Sequence, residues 1–452
     1  MRNKTLLRIL VTVTFITCVF PHLSAQVDKN LLLKNYVLPD IQRHALDIRV
    51  NSNGGFTTSS LDEEGSSNID INLNGAYSFY KNTRSFIGRQ YLSLGFSGSY
   101  NQDKSTDTER GSISPIISYG NSSRFYKGNI FFETGVRANV DYNRYYNDDY
   151  KDKYTFYTDA SIPLMFGIGR IENVEDMRQA IYIVDNLEKK GVIDRSMSAD
   201  EFIEFARLIS TVKNKRFFDS RKRLISEITA LDVFFKNNDI IDKEGASYFT
   251  TLYDYWLYGA LFERKSGTEF KIGIVSSGGY SCANSLINKN HTENVGISGE
   301  ISMSYENPIS LSWQHSSLVN VKGGWTRNWH TLKDGNDKYK FTPNETFVEA
   351  SGKYYIGYYP NSRTNLNMGI SESFLYNKWK NRNYDEDYNV SVTRLHFDMY
   401  YYLSPQLRIA ANTALSYKHA SEDEVYHNYQ AFIKGKRSWS GEYSVTLTYS
   451  LF

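Results

Sequence analysis

Large apolar side chains recur at every second residue along two long stretches of this chain, and this spacing restricts the fold more than any other feature. Ile69 and Ile71, for example, flank Asp70. The pattern runs from residue 44 to 168 and resumes from 270 to the last residue. A period of two is that of β-strands with one apolar and one polar face. Its repetition, with charges on the polar face, favours strands that face lipid, as in a transmembrane barrel.

The composition agrees with a barrel. A mean hydropathy of -0.49 would by itself indicate a water-soluble protein, yet the chain holds 36 Tyr and 26 Phe. A barrel reconciles the two, because only alternate residues face lipid and the lumen stays polar. A helical membrane protein would need apolar runs of about 18 residues or more, and none follows the N-terminal region.

The alternation predicts fourteen antiparallel strands, six before a helical stretch and eight after it. An even number leaves both termini on the periplasmic side. Long polar links are assigned to the outside and short ones to the periplasm. The first and last strands are expected to pair, because unpaired backbone groups cost several kcal/mol in hydrocarbon. The predicted strands lie near 43–53, 67–81, 86–101, 109–122, 125–143, 153–168, 267–279, 293–306, 308–325, 343–359, 362–377, 387–403, 405–418 and 440–452.

Between the two stretches the period becomes helical. Residues such as Met177 and Ile181 are spaced three or four apart, and Ser198 with Glu201 forms a capping box that opens a helix. Each predicted helix is amphipathic, which indicates a compact unit in water and not membrane spans. Six crossings precede this unit, so the strand count places it on the periplasmic side, below the barrel or folded into it.

The N-terminus is predicted to be a cleaved signal peptide. Basic Arg2 and Lys4 precede an apolar stretch, and Leu23-Ser24-Ala25 is typical of a cleavage site. A lipid anchor at Cys18 is the weaker alternative. The predicted parts are 1–25 signal peptide, 26–170 first part of the barrel, 171–263 helical insert and 264–452 second part of the barrel.

The end of the chain carries a resemblance. Tyr443, Val445 and Leu447 alternate with polar residues, and the chain stops at Phe452. This resembles the C-terminal strand that serves as an assembly signal in Gram-negative outer-membrane barrels. The Tyr- and Asn-rich composition and the Ala25-Gln26 junction resemble Bacteroidota proteins. The resemblance implies export through the periplasm and insertion in outer-membrane lipid, and it implies no particular activity.

The lumen is expected to be charged with both signs. Mixed signs favour pairing across the lumen, which would make the wall rigid, whereas an ion-selective pore would be lined mainly by one sign. On the strand near 387–403 the apolar row changes sides, which predicts a bulge near Thr393. The predicted lumen network is Glu133, Arg137, Asp141, Glu349, Lys353, Arg394, His396 and Asp398.

One pair of residues suggests catalysis. His315 and Ser317 lie two apart on a predicted strand and face lipid together, so the imidazole could activate the hydroxyl. The pair resembles the His-x-Ser element of outer-membrane phospholipase A and lipid A deacylases. Leu318 stands where those families have Asn, and no third residue is evident to orient the imidazole. Polar residues near a strand end are the simpler interpretation, so an enzyme is the less favoured hypothesis.

The insert carries a basic cluster that could meet lipid phosphates or an acidic periplasmic partner; a solvated helix face is the alternative interpretation. No metal or cofactor motif occurs, and a net charge of +2 gives no indication of a nucleic-acid partner. The cluster consists of Lys213, Lys215, Arg216, Arg221, Lys222 and Arg223.

Three functions therefore remain open. The first is a porin-like channel, or an anchor for a periplasmic partner, with the helical unit as plug or dock. The second is a lipid-acting hydrolase, and the third is a structural or assembly component of the cell envelope. An insert of this length is far longer than a turn requires, which favours a role for it.

Overall fold

The structure is a computed structural model. It describes residues 27–58, 65–103, 108–147, 153–193, 195–214, 220–241, 245–259, 262–284, 288–335, 337–381, 384–404, 407–421, 424–427, 431–434 and 437–449. The predicted signal peptide and Phe452 lie outside these residues, as do Lys215 and Arg216 of the basic cluster.

The wall consists of antiparallel strands, 15 of which form one large sheet. The strands are β1 (Ile41–Thr58), β2 (Gly65–Asn82), β3 (Phe86–Asp103), β4 (Thr108–Lys127), β5 (Ile130–Asn147), β6 (Lys153–Asn173), β7 (Lys265–Asn284), β8 (Asn288–Pro308), β9 (Trp313–Asp334), β10 (Asp337–Phe341), β11 (Asn344–Asn361), β12 (Thr364–Asn381), β13 (Tyr384–Tyr402), β14 (Leu407–Ala420), β15 (Glu424–His427), β16 (Ala431–Lys434) and β17 (Arg437–Tyr449).

The main path through this sheet confirms the predicted fold class. It runs in chain order from β1 to β14 and on to β17, with β10 as a side branch on β9, for 15 strands in all. The strands of the main path correspond one by one to the predicted fourteen. Strands β15 and β16 form a separate hairpin within the predicted outer loop 419–439. Among the described residues no ladder joins β1 to β17, the pair expected to close the sheet.

Two local predictions were wrong. The short link expected between the predicted strands 109–122 and 125–143 lies inside β4, and the chain turns at Gly128 and Asn129 instead. Gly128 has a φ of +63°, a left-handed conformation that costs glycine little. The bulge expected near Thr393 does not form, because β13 pairs without a register shift on both sides.

Without that bulge, Val390 and Val392 lie on the same face of β13 as His396, which alternation assigns to the lumen. They pack there with Tyr388 and Ala420 as a small apolar cluster. The apolar residues of β13 therefore change sides in the sequence pattern only because the inner face itself changes along the strand, from apolar Val390 and Val392 to the polar residues that follow.

The wall exposes its large apolar residues. Ile48, Ile274 and Leu447 are 73%, 50% and 66% exposed. Their neighbours in sequence, which lie on the other face, are mostly polar or small and line the interior. This inverted burial is that of a membrane-spanning wall whose outer face meets hydrocarbon.

The helices lie before β1 and between β6 and β7. They are α1 (Lys29–Asn35), α2 (Glu175–Lys189), α3 (Ala199–Asn214), α4 (Ser220–Asn237) and α5 (Ala246–Tyr258). The predicted capping box is confirmed: the backbone N–H of Ser198 donates to Glu201 at 2.8 Å, and that of Glu201 donates to the Ser198 hydroxyl at 3.3 Å. None of the described helices combines the length and apolar character needed to cross a membrane.

The helices share an ordinary hydrophobic core. Met177, Ile181, Phe205 and Leu252 are fully buried in it. Helix α1 belongs to the same core through Leu33, although residues 26–40 were assigned to the first part of the barrel. The helical unit is therefore the insert together with the N-terminal helix.

The helical unit lies at the end of the sheet that carries the short turns. Tyr80 at the end of β2, Ile41 at the start of β1 and Leu311 between β8 and β9 all pack against its core. Asp254 of α5 pairs with Arg363, between β11 and β12. Strand ends far apart in the sheet order thus meet a single body, so the sheet curls around it as a barrel wall.

Candidate functional site in the barrel lumen

A cluster of charged side chains lies on the inner face of the wall, near the short turns. Arg124 of β4 donates to Glu133 of β5 and to Glu269 of β7, each at 2.6 Å. Lys271 lies 3.6 Å from the same Glu133 carboxylate. The Glu133 and Glu269 side chains are 6% and 8% exposed. This charged cluster joins inward residues of three strands.

Arg124 and Glu269 are absent from the predicted network. Arg124 was assigned to a turn because β4 was predicted to end at residue 122. Recognising Gly128-Asn129 as the turn would have extended the strand and turned this arginine inward. Its pairing with Glu269, three strands away in the sheet order, has no local signal in the sequence.

A polar cavity of about 360 Å³ lies against the inner wall from β5 to β12. Three predicted network residues line it: Glu133, Arg137 and Glu349. Lys322 of β9 lies opposite Glu300 on β8 and opposite Glu349 on β11, so a cation stands between two carboxylates. The cavity therefore presents both charge signs beside amide and apolar groups.

The other predicted network residues lie elsewhere. Arg394 of β13 pairs with Glu442 of β17 at 2.9 Å, and the His396 ring contacts Tyr355 with ring centroids 4.5 Å apart. Lys353 and Arg394 both lie opposite Ser371 of β12. Asp398 lies opposite Asn367 and Asn412, and Asp141 opposite Ile116 and Tyr157. The eight residues are thus distributed over several regions of the wall.

Polar contacts join the helical unit to the turns of the wall. Arg264, fully buried before β7, donates to the Gln314 side chain at 2.6 Å and to the carbonyls of Ser310 and Leu311 at 2.8 Å each. Arg363 donates to Asp254 at 2.5 Å. These contacts hold the unit against the β8–β9 and β11–β12 turns.

Arg170 of β6 joins the opposite part of the rim. It donates to Asn82 at 2.5 Å and to the carbonyl of Thr83 at 2.9 Å. Arg84 of the same turn pairs with Glu172 at 3.2 Å. The β2–β3 turn is therefore tied to the strand that leads directly into the insert.

Lys213 of the predicted basic cluster is an interior residue. Its ammonium pairs with Asp176 at 2.6 Å, and Ser210 donates to the other oxygen of that carboxylate at 2.5 Å. The hydroxyls of Tyr36 and Ser210 are hydrogen-bonded to each other at 3.0 Å. Burial opposes ionisation of Asp176, but the Lys213 charge and these hydrogen bonds lower its pKa. The pair ties α2 to α3 and leaves no free cation at this position.

The rest of the basic cluster is described only in part. Arg223 lies on α4. The backbone of Arg221 and Lys222 belongs to the same helix, while Lys215 and Arg216 lie outside the described residues. A continuous basic surface is therefore still a prediction.

Glu175 opens α2 beside this pair. Burial, and then the neighbouring Asp176 charge, raise the pKa of Glu175 to about 7. Its Oε2 has no hydrogen-bond partner in the described part of the chain. Glu175 is thus poised to change charge near neutral pH within the helical unit.

His315 and Ser317 of β9 belong to the lipid-facing row. The Tyr354 hydroxyl, and not Ser317, is the hydrogen-bond partner that the described residues give to His315, at 2.7 Å from Nδ1. Tyr354 lies opposite Ser317 on β11. An imidazole engaged with a phenol near the end of a strand fits a polar belt at the membrane surface.

No family model and no curated protein matches this sequence. Solved structures with some similarity include a deltaS2 mutant of the TodX monoaromatic hydrocarbon channel, at 11% identity, covering 91% of this chain and 82% of that chain with a TM-score of 0.26. The translocator domain of the autotransporter NalP from Neisseria meningitidis has 8% identity, coverages of 92% and 91% and a TM-score of 0.27. OmpT, an outer membrane protein of Vibrio cholerae, has 10% identity, coverages of 91% and 99% and a TM-score of 0.25.

Overlaps of this size do not establish a shared fold, so the fold is assigned from the chain's own strands. One antiparallel sheet with an apolar outer face and a charged inner face is an outer-membrane β-barrel.

Proposed function

We propose that this protein is an outer-membrane channel for small polar solutes, closed at its periplasmic mouth by the helical unit. The observation that carries the proposal is the position of that unit. It contacts the β2 end, the β8–β9 turn and the β11–β12 turn, which lie around the rim. A body held at several separate parts of the rim supports a plug better than one attached at a single turn.

The lumen above the plug supports passage of a polar solute. Its cavity is lined by charged and amide side chains with few apolar ones, as in barrels that hold water. Both charge signs are present, so strong selection between cations and anions is not expected. Short turns are periplasmic in outer-membrane barrels, which supports the same side for the unit.

Breaking one contact between plug and wall tests the proposal. In planar bilayers, Arg363→Asp opposes Asp254 with a like charge and is expected to raise the open probability several-fold over the wild type. The double variant Asp254→Arg/Arg363→Asp restores the attraction and is expected to return the conductance to the wild-type level.

As a control, the folding of each variant is checked by the shift in gel mobility on heating that closed barrels show. If every variant with that shift remains non-conducting, the channel is excluded. Equal conductance in the single and double variants would exclude the plug.

Anchoring of a periplasmic protein is a second candidate, supported by apolar residues exposed on the helical unit. Ile225 and Val233 of α4 are 78% and 46% exposed and lie on the same side of the helix, eight residues apart. A partner that copurifies with the full chain and is lost in Ile225→Glu/Val233→Glu would favour anchoring. Conductance that is unchanged by this pair of substitutions would separate the two functions.

A further inference from the structure

Two buried asparagine side chains in the wall of the lumen cavity each have one amide atom without a hydrogen-bond partner among the described residues. Asn377 of β12 is 1% exposed and Asn328 of β9 is 7% exposed, and both line the cavity. Among the described residues, Oδ1 of Asn377 and Nδ2 of Asn328 have no hydrogen-bond partner. Leaving such groups unsatisfied is costly, so a hydrogen-bonding solute that reaches these two atoms would be stabilised by them.

The orientation of Asn377 is determined by its neighbours. Its Nδ2 donates to Glu345 at 2.5 Å and to the Tyr388 hydroxyl at 3.2 Å. The reversed amide would set its oxygen against the Glu345 carboxylate, where two acceptors repel. The free atom of Asn377 is therefore an acceptor, while that of Asn328 is a donor. An occupant must offer both kinds of group.

The charges in the cavity are mostly balanced. Lys322 stands between Glu300 and Glu349 on the adjacent strands, and Glu133 is paired with Arg124 and Lys271. Strong selection of an ion requires charges of one sign. The lining therefore favours a solute without net charge.

An aromatic ring lies beside the amides. Phe347 of β11 lies between Gly324 and Asn377 in the sheet register. A Cβ at Gly324 would lie 2.9 Å from Cζ of Phe347 and 2.6 Å from Cβ of Ser298, so only glycine leaves room for the ring against the wall. Phe347 and Leu375 give the cavity a limited apolar surface, and the Lys322 ammonium lies 5.2 Å from the centroid of the Phe347 ring.

We propose that this cavity binds a small neutral polyhydroxylated solute of the sugar class. Hydroxyls of the sugar donate to Asn377 and Glu345 and accept from Asn328, and its C–H face lies against Phe347. Each sugar hydroxyl can both donate and accept a hydrogen bond. Hydroxyls alone can therefore pair with both the free acceptor of Asn377 and the free donor of Asn328. The inference rests on the proposed channel and names its solute.

Calorimetric titration of the full chain in detergent micelles tests the site without requiring conductance. The probes are glucose, sucrose, glycine as a small zwitterion, and sodium acetate. We expect one of the sugars to bind and neither glycine nor acetate to compete with it. Asn377→Leu and Phe347→Ala are each expected to weaken sugar binding by about tenfold or more, the scale of one lost hydrogen bond or ring contact.

Asn74→Leu is the matched control, since Asn74 lines a separate cavity near β1 to β3 and its loss is expected to leave sugar affinity unchanged. Heat-shifted gel mobility confirms that each variant is folded. The site would be overturned if the folded wild type bound no sugar, if glycine or acetate bound more tightly than the sugars, or if Asn377→Leu and Phe347→Ala kept the wild-type affinity for sugar.

Failure of the site and failure of the channel are distinguishable on the same preparation. Sugar binding without conductance in any plug variant would exclude the channel and keep the site. If the protein conducts but sugars neither bind to it nor reduce its conductance, the site is excluded and the channel is kept.

Discussion

The wall and the helical unit bury their side chains in opposite ways. In the unit, Phe205 and Met177 are fully buried, as in a water-soluble domain. In the wall, Ile274 of β7 is 50% exposed, while Met165 of β6, which lies opposite the adjacent Gly273 and faces inward, is 1% exposed. The unit is held by a hydrophobic core, whereas the wall is held by backbone ladders and by surrounding lipid.

The difference extends to charge. In the unit, Asp176 and Lys213 form a pair that is almost fully enclosed. The inner face of the wall instead carries many charges around a lumen that holds a polar cavity. The two regions should therefore respond differently to the same kind of substitution.

The largest effect is expected from Phe205→Ala. Phe205 packs against Phe234 and Phe235 with ring centroids 5.1 and 4.8 Å away. Truncating it should destabilise the unit by about 3–5 kcal/mol, the range for a buried Phe. Limited proteolysis should then cut the unit faster while the wall keeps its heat-shifted mobility. Phe96→Ala, on the lipid face, is the control. Equal protease resistance in the two variants would contradict the comparison.

A charge on the lipid face comes next. Ile274→Lys, at the middle of β7, should destabilise the wall in liposomes by about 2–4 kcal/mol. Ser277→Lys, which points into the lumen cavity, should cost much less because its ammonium stays in water. Urea unfolding of the two variants gives the measurement. Equal losses of unfolding free energy in Ile274→Lys and Ser277→Lys would refute the inverted burial of the wall.

The smallest effect concerns pH and the unit alone. The folded pKa of Glu175 is about 7, against an ordinary value of 4.5. Protons bind the folded state more tightly between these values, so stability is greatest at low pH and falls as pH rises to about 7. The full change in the free energy of unfolding would be at most about 3 kcal/mol. Glu175→Gln should abolish it.

Far-UV circular dichroism measures the pH dependence of the stability of the helical unit, because helices give a signal distinct from that of the wall. Urea midpoints of the helical signal would be compared from pH 5 to about pH 8. A wild-type midpoint that stays constant or rises with pH would disprove the assignment to Glu175.

Much of the fold was readable from local patterns. The period of two predicted the fourteen strands of the main path, and Ser198 with Glu201 predicted the start of α3. The same reasoning missed α1, which is only seven residues long and has few turns in which to show a period. It also failed at Thr393, where apolar residues on the inner face imitated a bulge.

The candidate site was predictable only in part. Alternation placed Glu133, Arg137 and Glu349 on the inner face, and all three line the cavity. The orphan amides of Asn328 and Asn377 were not singled out, because Asn is common along these strands and parity does not show which of them lack partners.

Outside β13, the sequence by itself determined which side chains face lipid, and it also determined how many strands cross and where the insert interrupts them. Those properties follow from the geometry of neighbouring residues along one strand or helix. Only the tertiary structure decided that Arg124 reaches Glu269, that Lys213 lies inside the unit, and that His315 meets Tyr354. The curl of the sheet and the stagger of its strands set these meetings, and residues distant in sequence acquire neighbours only when the whole wall has formed.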